Sequence, residues 1–358
     1  IITGLEVLTR SFDDTKIITY LAKNSTARME YGLKVLAQPF AGNWAEDEIK
    51  DIRRIPPEKI LRYNLVDVLS TNYVHETYYP IMVEEGQEDL YHSLMLPSLT
   101  VIIQIECHGL PLIPERVQEV KKILEADISA LTSKLDLNAY VLEATDRLQI
   151  AAMKTKNASL KVKQHPREAF NEPINYNSPK QLQTLLFDVM EMPILEWTDT
   201  KEPATGNKVL KALRKHTSDP EKLEVLEALY SYSKIDKIMS AFIPNFENAW
   251  LKADGMAYLH GSFNIGGTLS GRLSSSSPNL QQLPAGGDLG KLIKTCFAGG
   301  YGKIFCGADF SSLEDRISAL ITKDPNKLKV YLDGYCGHCL RAQAYFGEQM
   351  PDIDPTSV

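Results

Sequence analysis

The 358-residue sequence is poor in most of the features that would place a chain in a specialised class. Five cysteines are too few for a disulfide scaffold at this length, so a reducing, cytoplasmic setting is expected. No run of about eighteen or more apolar residues is present, which argues against a membrane span. The N-terminus also lacks the charged-then-apolar layout of a signal peptide. Positive charge is not in excess: 39 Lys and Arg against 46 Asp and Glu leave a net charge of −7. That balance argues mildly against nucleic-acid binding, because phosphate contacts need clustered Lys and Arg. The sum covers the whole chain, however, and basic clusters stand locally at Lys154-Thr155-Lys156, Lys161-Val162-Lys163 and Lys208 to Lys215. There is no internal repeat, and Ser274 to Ser277 is the one low-complexity stretch.

The length suffices for two or three domains with sizeable cores. Ile17, Ile18 and Leu21 have helical spacing. So does Lys59 to Leu69, which puts Tyr63 and Asp67 four apart on one face. A helix opened by Pro97 carries Leu99, Ile102 and Ile103 on one face and ends at Gly109. Leu110 to Pro114 then reads as extended chain, and residues 136–170 as an irregular, Lys-rich region of loop and helix. Ser178 is placed to cap, and Pro179 to open, a helix that buries Leu182, Leu185 and Leu186. Two amphipathic helices are expected between Val209 and Phe242.

The chain is organised around Thr268 to Arg316. Thr268-Leu269-Ser270-Gly271-Arg272-Leu273-Ser274-Ser275 is a polar loop with one fixed cation, Arg272. Pro278-Asn279-Leu280-Gln281-Gln282-Leu283-Pro284 follows it. Ile304 to Ala308 reads as a buried strand that delivers Asp309 to the start of a helix, with Ser311 as the expected N-cap. A carboxylate at the end of a buried strand is costly unless a cation meets it. The spacing alone leaves two readings open: an ordinary helix cap, or a ligand for a hard metal of the kind that handles phosphates.

TLSGRLSSSSPNLQQLP followed by ADFSSLEDR resembles the family A, polymerase I-like DNA polymerases in a phage-like version. The resemblance implies an α/β chain, with the end of a DnaQ-like (RNase H-like) 3′–5′ exonuclease domain over residues 1–88. Connecting helices and a helical thumb would follow over 89–254, and the start of a polymerase palm over 255–358. It implies that Asp309 holds the catalytic Mg²⁺ ions and that Glu314 sits under the incoming sugar and excludes a 2′-hydroxyl. Arg316 would support the palm carboxylates. Arg272, with Asn279 and Gln281 of the same motif, would contact DNA near the primer end, and His338 would lie near the triphosphate. The partners implied are a primer–template and dNTPs, with a second polymerase chain or a processivity factor in addition, all in the cytoplasm (the host's, for a viral protein). Two-metal chemistry needs a second carboxylate and a triphosphate-gripping helix that the family carries later, so the sequence reads as the front half of a polymerase. Upstream, FDDTKIITYLAKN and Tyr63-x-x-x-Asp67 resemble exonuclease motifs, but no Asp-x-Glu lies near Ile1 and the exonuclease site is incomplete. LTVIIQIECHGLPLIP resembles the family's entry to the polymerase domain, and INYNSPKQL a stretch further on.

Two alternatives accompany this reading. One is a non-catalytic, DNA-binding half of a split polymerase. The other is a thiol–disulfide redox protein working through Cys336 and Cys339, because Cys336-Gly337-His338-Cys339 is also an oxidoreductase sequence. Two Cys and one His leave a zinc shell unfilled.

Overall fold

The computed structural model describes residues 12–23, 31–44, 53, 55–160, 164–284, 286–352 and 354. The Lys161-Val162-Lys163 cluster lies outside the described residues. The chain divides into two compact units, Ile1–Lys303 and Ile304–Val358.

The first unit is mostly helical. Helix α1 (Thr15–Ala22) starts where the Asp14 carboxylate accepts from the Ile17 N–H, and it buries Ile17, Ile18 and Leu21 as their spacing predicts. It packs on α2 (Pro57–Glu84). The stretch Glu88–His108, with a π-helical turn at Tyr91–Met95, forms α3. By length and composition α3 could cross a bilayer, with a mean hydropathy of 1.2. Its fully buried Tyr91 nevertheless ties it to the chain before α1: the hydroxyl donates to Asp13 and accepts from the Asp14 N–H, each at 2.9 Å. Burial pushes the Tyr91 phenol well above its ordinary value. Gly109 ends α3 at φ 74°.

Strand β1 (Leu110–Leu112) leads into α4 (Pro114–Asp136) and α5 (Ala139–Ala158). The stretch Ala139–Ala158 is therefore more regular than its composition suggests, because Asn138 accepts from the Tyr140 N–H and caps a long helix. Helix α6 (Pro179–Gln183) opens at Pro179 as expected; Ser178 holds the N-cap position in extended conformation but makes no side-chain cap bond. Leu182, Leu185 and Leu186 are buried. Helices α7 (Asn207–Leu213) and α8 (Pro220–Ala241) are the expected amphipathic pair, with Asp219 capping α8. Together α5 to α8 enclose one core built on Val141, Leu185, Leu186, Leu210, Leu213 and Leu226.

A second core lies where α4 and α8 meet the strands β1 and β3 (Ala257–Leu259), while β2 (Trp250–Leu251) pairs with β3 and is exposed. The sheet is antiparallel in the order β1-β3-β2, with Leu110 opposite Leu259 and Trp250 opposite Tyr258. A separate antiparallel pair, β4 (Ser262–Asn264) and β5 (Ser274–Ser276), brackets the polar Thr268–Arg272 loop. Helix α9 (Gly287–Lys294) closes the second core through Ile293, and Cys296 follows it inside.

The second unit contains α10 (Leu313–Thr322), α11 (Pro325–Leu332) and α12 (Gly337–Phe346). The buried strand expected at Ile304–Ala308 is not formed. The segment is irregular, with Ile304 90% and Phe305 58% exposed. A strand needs a neighbour for its backbone hydrogen bonds, and no described residue pairs with this run. The helix start also shifts by one: Ser312, at φ 52°, holds the cap position of α10, and no side-chain cap bond forms.

Candidate active site and nucleic-acid surface

In the first unit the β4–β5 hairpin positions the candidate DNA-contacting residues. Glu106, near the end of α3, accepts the Phe263 N–H through its carboxylate at 2.6 Å. Its backbone carbonyl accepts from His260 Nδ1 at 2.7 Å. The hairpin is thereby fixed to α3 from both sides of Gly261. Beyond β4, Gly267 lies so close to Ser274 Oγ that a Cβ would not fit. The Tyr20 hydroxyl donates to the Thr268 carbonyl at 3.0 Å, and the Thr268 hydroxyl donates to the Arg272 carbonyl at 2.8 Å. These two bonds close the loop and hold the Arg272 backbone, leaving its side chain exposed. Asn279 uses its side-chain oxygen locally, accepting the Gln281 N–H at 3.1 Å to cap the short turn Leu280–Gln282. The Gln281 side chain is exposed. Ser275, buried in β5, bridges to this turn by accepting the Leu280 N–H.

Of the basic clusters, Lys154 and Lys156 are exposed on α5. Lys208 pairs with Glu196 at 3.3 Å, and Arg214 pairs with Glu227. Lys234 and Arg214 flank the Tyr230 ring, 4.1 and 4.9 Å from its centroid. The hydrogen bond from Lys234, with the charges of Lys234, Lys211 and Arg214, holds the Tyr230 phenol below its ordinary value.

Tyr63 and Asp67 do share a face of α2. There Asp67 accepts from the Trp44 indole N–H at 2.9 Å, and Lys34 lies 5.8 Å from the Tyr63 ring centroid. Among the described residues no group of three or more His, Cys, Asp or Glu could hold a metal ion.

In the second unit Asp309 lies exposed in irregular chain. Glu314 is exposed in the first turn of α10, and His338 on α12. Arg316 donates from Nε to the Ser311 carbonyl at 2.9 Å and lies 4.6 Å from the Tyr331 ring centroid. It thus pins the backbone two residues beyond Asp309. The hub of the unit is Asp315, which the motif contains but to which sequence reasoning gave no role. It accepts from Lys327 Nζ at 3.1 Å and from the Tyr331 hydroxyl, with Arg341 at 3.7 Å, so one carboxylate joins α10, α11 and α12. The Tyr331 and Lys327 hydrogen bonds hold it below the ordinary carboxylate value. Its partners stand 12 to 26 residues away, and periodicity within one helix carries no signal of them.

The arrangement is a mixed helical and sheet fold in which a helical region precedes a hairpin-held arginine loop and an acidic helix start. The profile of DNA polymerase family A matches residues 145–357, and the chain belongs to that family. The DNA polymerase I of Rhizobium leguminosarum is 26% identical over 97% of this chain and 31% of its own length. The thermostable DNA polymerase I of Thermus thermophilus is 27% identical over 96% of this chain and 34% of its own. The chain therefore spans about a third of these relatives. The fold is similar to the POL domain of Pol1 from M. smegmatis, solved in complex with DNA primer-template and dNTP. That likeness has a TM-score of 0.69 at 21% identity, and covers 96% of this chain and 51% of the other.

Proposed function

We propose that this chain is part of a DNA-directed DNA polymerase that adds nucleotides to a primer 3′-hydroxyl under template direction. One observation carries the reading: the family match runs through both the Arg272 loop and the Asp309–Arg316 segment. The protein part of such chemistry is largely positioning and charge stabilisation. Arg272, presented on a loop tied down by Tyr20 and Thr268, supplies a fixed cation for a phosphate or a base edge near the primer end. Asn279 and Gln281 follow it on the adjoining turn. Lys154, Lys156, Lys211 and Lys234 supply sequence-independent phosphate contacts. Glu314 is the sugar-contacting residue, His338 a triphosphate neighbour, and Arg316 the group that steadies the chain beside Asp309.

Mg²⁺ is the metal this chemistry calls for, and Asp309 is the residue of this chain that would hold it, through an exposed carboxylate suited to a hard cation. One carboxylate does not complete a two-metal site, and the described residues offer no cluster that does. A second polypeptide segment carrying the other ligand belongs to this reading, as do a phage-like source and a cytoplasmic setting. The helix bearing Tyr63 and Asp67 belongs to an exonuclease-like fold. The alternative that the chain is a dedicated thiol–disulfide oxidoreductase is not favoured, since residues 145–357 match the polymerase family.

The test is Asp309→Ala in the polymerase as purified from its source. Primer extension should fall by about a thousandfold or more. Near-normal extension would remove the assignment. Salt-sensitive primer–template binding by a wild-type protein that never incorporates a nucleotide would favour the non-catalytic half instead.

A further inference from the structure

Cys336 and Cys339 are poised in a way that polymerase chemistry does not use. Cys336 is the N-cap of α12, and its Sγ accepts the Cys339 N–H at 3.5 Å across the first turn. Both cysteines are partly accessible. Residues three apart across a helix start are near neighbours, compatible with the Cα separation a disulfide needs. Gly337, between them, is buried against Tyr331 and Arg341. The turn is therefore held by the same Asp315-centred cluster that joins the three helices.

The pair is also chemically unequal. The Cys339 N–H and then the Cys339 thiol, together with the His338 N–H and the Arg341 charge, hold Cys336 below the ordinary thiol value. The hydrogen bond to Cys336, burial, and the charges of Cys336 and Asp354 push Cys339 above it. One sulfur is thus set up as a nucleophile, and its neighbour stays protonated until the second step.

We propose that Cys336 and Cys339 form a reversible dithiol–disulfide site at the start of the helix that carries His338, with small-molecule disulfides of the glutathione type as co-reactant. The Cys336 thiolate attacks one sulfur of the small disulfide, forming a mixed disulfide and expelling one small thiolate. Cys339 gives its proton to solvent and attacks the Cys336 sulfur, expelling the second small thiolate. Two protein thiols are oxidised to one disulfide, while one small disulfide is reduced to two thiols, which take up protons from water. The site needs neither DNA nor nucleotide, so its test stands apart from the polymerase reading.

The experiment treats the folded protein, as purified from its source, with glutathione disulfide, blocks the remaining thiols by alkylation, and maps the products by peptide mass. A Cys336–Cys339 disulfide is expected in the wild type, reversed by excess reduced glutathione. In Cys339→Ser, glutathione should stay trapped on Cys336. At neutral pH, Cys336 in that variant should react at least about threefold faster than the exposed Cys107 and Cys306. Absence of the Cys336–Cys339 disulfide in the oxidised wild type overturns the proposal. So does a Cys339→Ser chain that traps glutathione on Cys107 or Cys306 in preference to Cys336.

Discussion

His260 lies across Gly109: its ring atoms stand 2.7 to 3.0 Å from where a Cβ on that glycine would be, while its Nδ1 donates to the Glu106 carbonyl. Gly109 is also at φ 74°, so two independent constraints exclude a side chain there. Gly109→Ala should cost about 2 kcal/mol or more, read as a lowered denaturation midpoint, with His260 displaced. An unchanged midpoint would show that the ring moves aside freely.

Glu106 supports the same junction through its side chain. Glu106→Ala leaves the partly buried Phe263 N–H without its acceptor, at a cost of roughly 1–3 kcal/mol. Hydrogen exchange should report faster opening of Ser262–Asn264, with α5 to α8 unaffected.

Asp315 makes the second unit sensitive to acid. Its folded-state value lies below the ordinary 3.8, so its contribution is fully present above pH 3.8 and is lost as pH falls through the depressed value. Asp315→Asn should weaken the packing of α10 against α11 and α12 by roughly 1 kcal/mol at neutral pH and remove that acid-range dependence. Tyr331 fluorescence or local hydrogen exchange, followed against pH, checks both.

Cys296 should behave in the opposite sense. Burial pushes its thiol up to about 11, so its contribution is present below the ordinary 9.0 and is lost as pH rises toward the folded value. Alkylation at mildly alkaline pH should modify Cys107 and Cys306 promptly and reach Cys296 only on unfolding. Prompt modification of Cys296 in the native chain would contradict its place in the core.

If Glu314 contacts the incoming sugar, Glu314→Ala in the complete polymerase should relax discrimination against ribonucleotides by roughly tenfold to a hundredfold. Single-nucleotide incorporation with matched dNTP and rNTP measures it. Unchanged discrimination would leave Glu314 an ordinary first-turn acid of α10.

Local grammar was readable in this chain where one residue decides the conformation. Pro179 opens a helix, and Gly109 ends one, for reasons that lie in a single backbone dihedral or a missing N–H. The apolar run Ile304–Ala308 misled because hydrophobicity records what a segment could bury, whereas a strand also needs a partner edge. The candidate site divides in the same way. Arg272 and Asp309 were visible as motif residues, but Tyr20, which ties down the Arg272 loop from 248 residues away, was not. Neither was Asp315 as the joint of three helices. Both depend on where distant segments meet, which spacing within a window does not record.

The bond from Tyr20 to Thr268 also sets a schedule for synthesis. The helix that carries Tyr20 emerges well before the loop it will hold, and 248 residues separate the two. At about 5–20 residues per second the ribosome needs on the order of 10–50 s to supply the missing partner. Throughout that interval Tyr20 lacks Ile265, its neighbour in the finished core, and Gly266, over which its ring packs. A nascent chain stalled before Gly266 should therefore be the species that chaperones retain and proteases cut near α1.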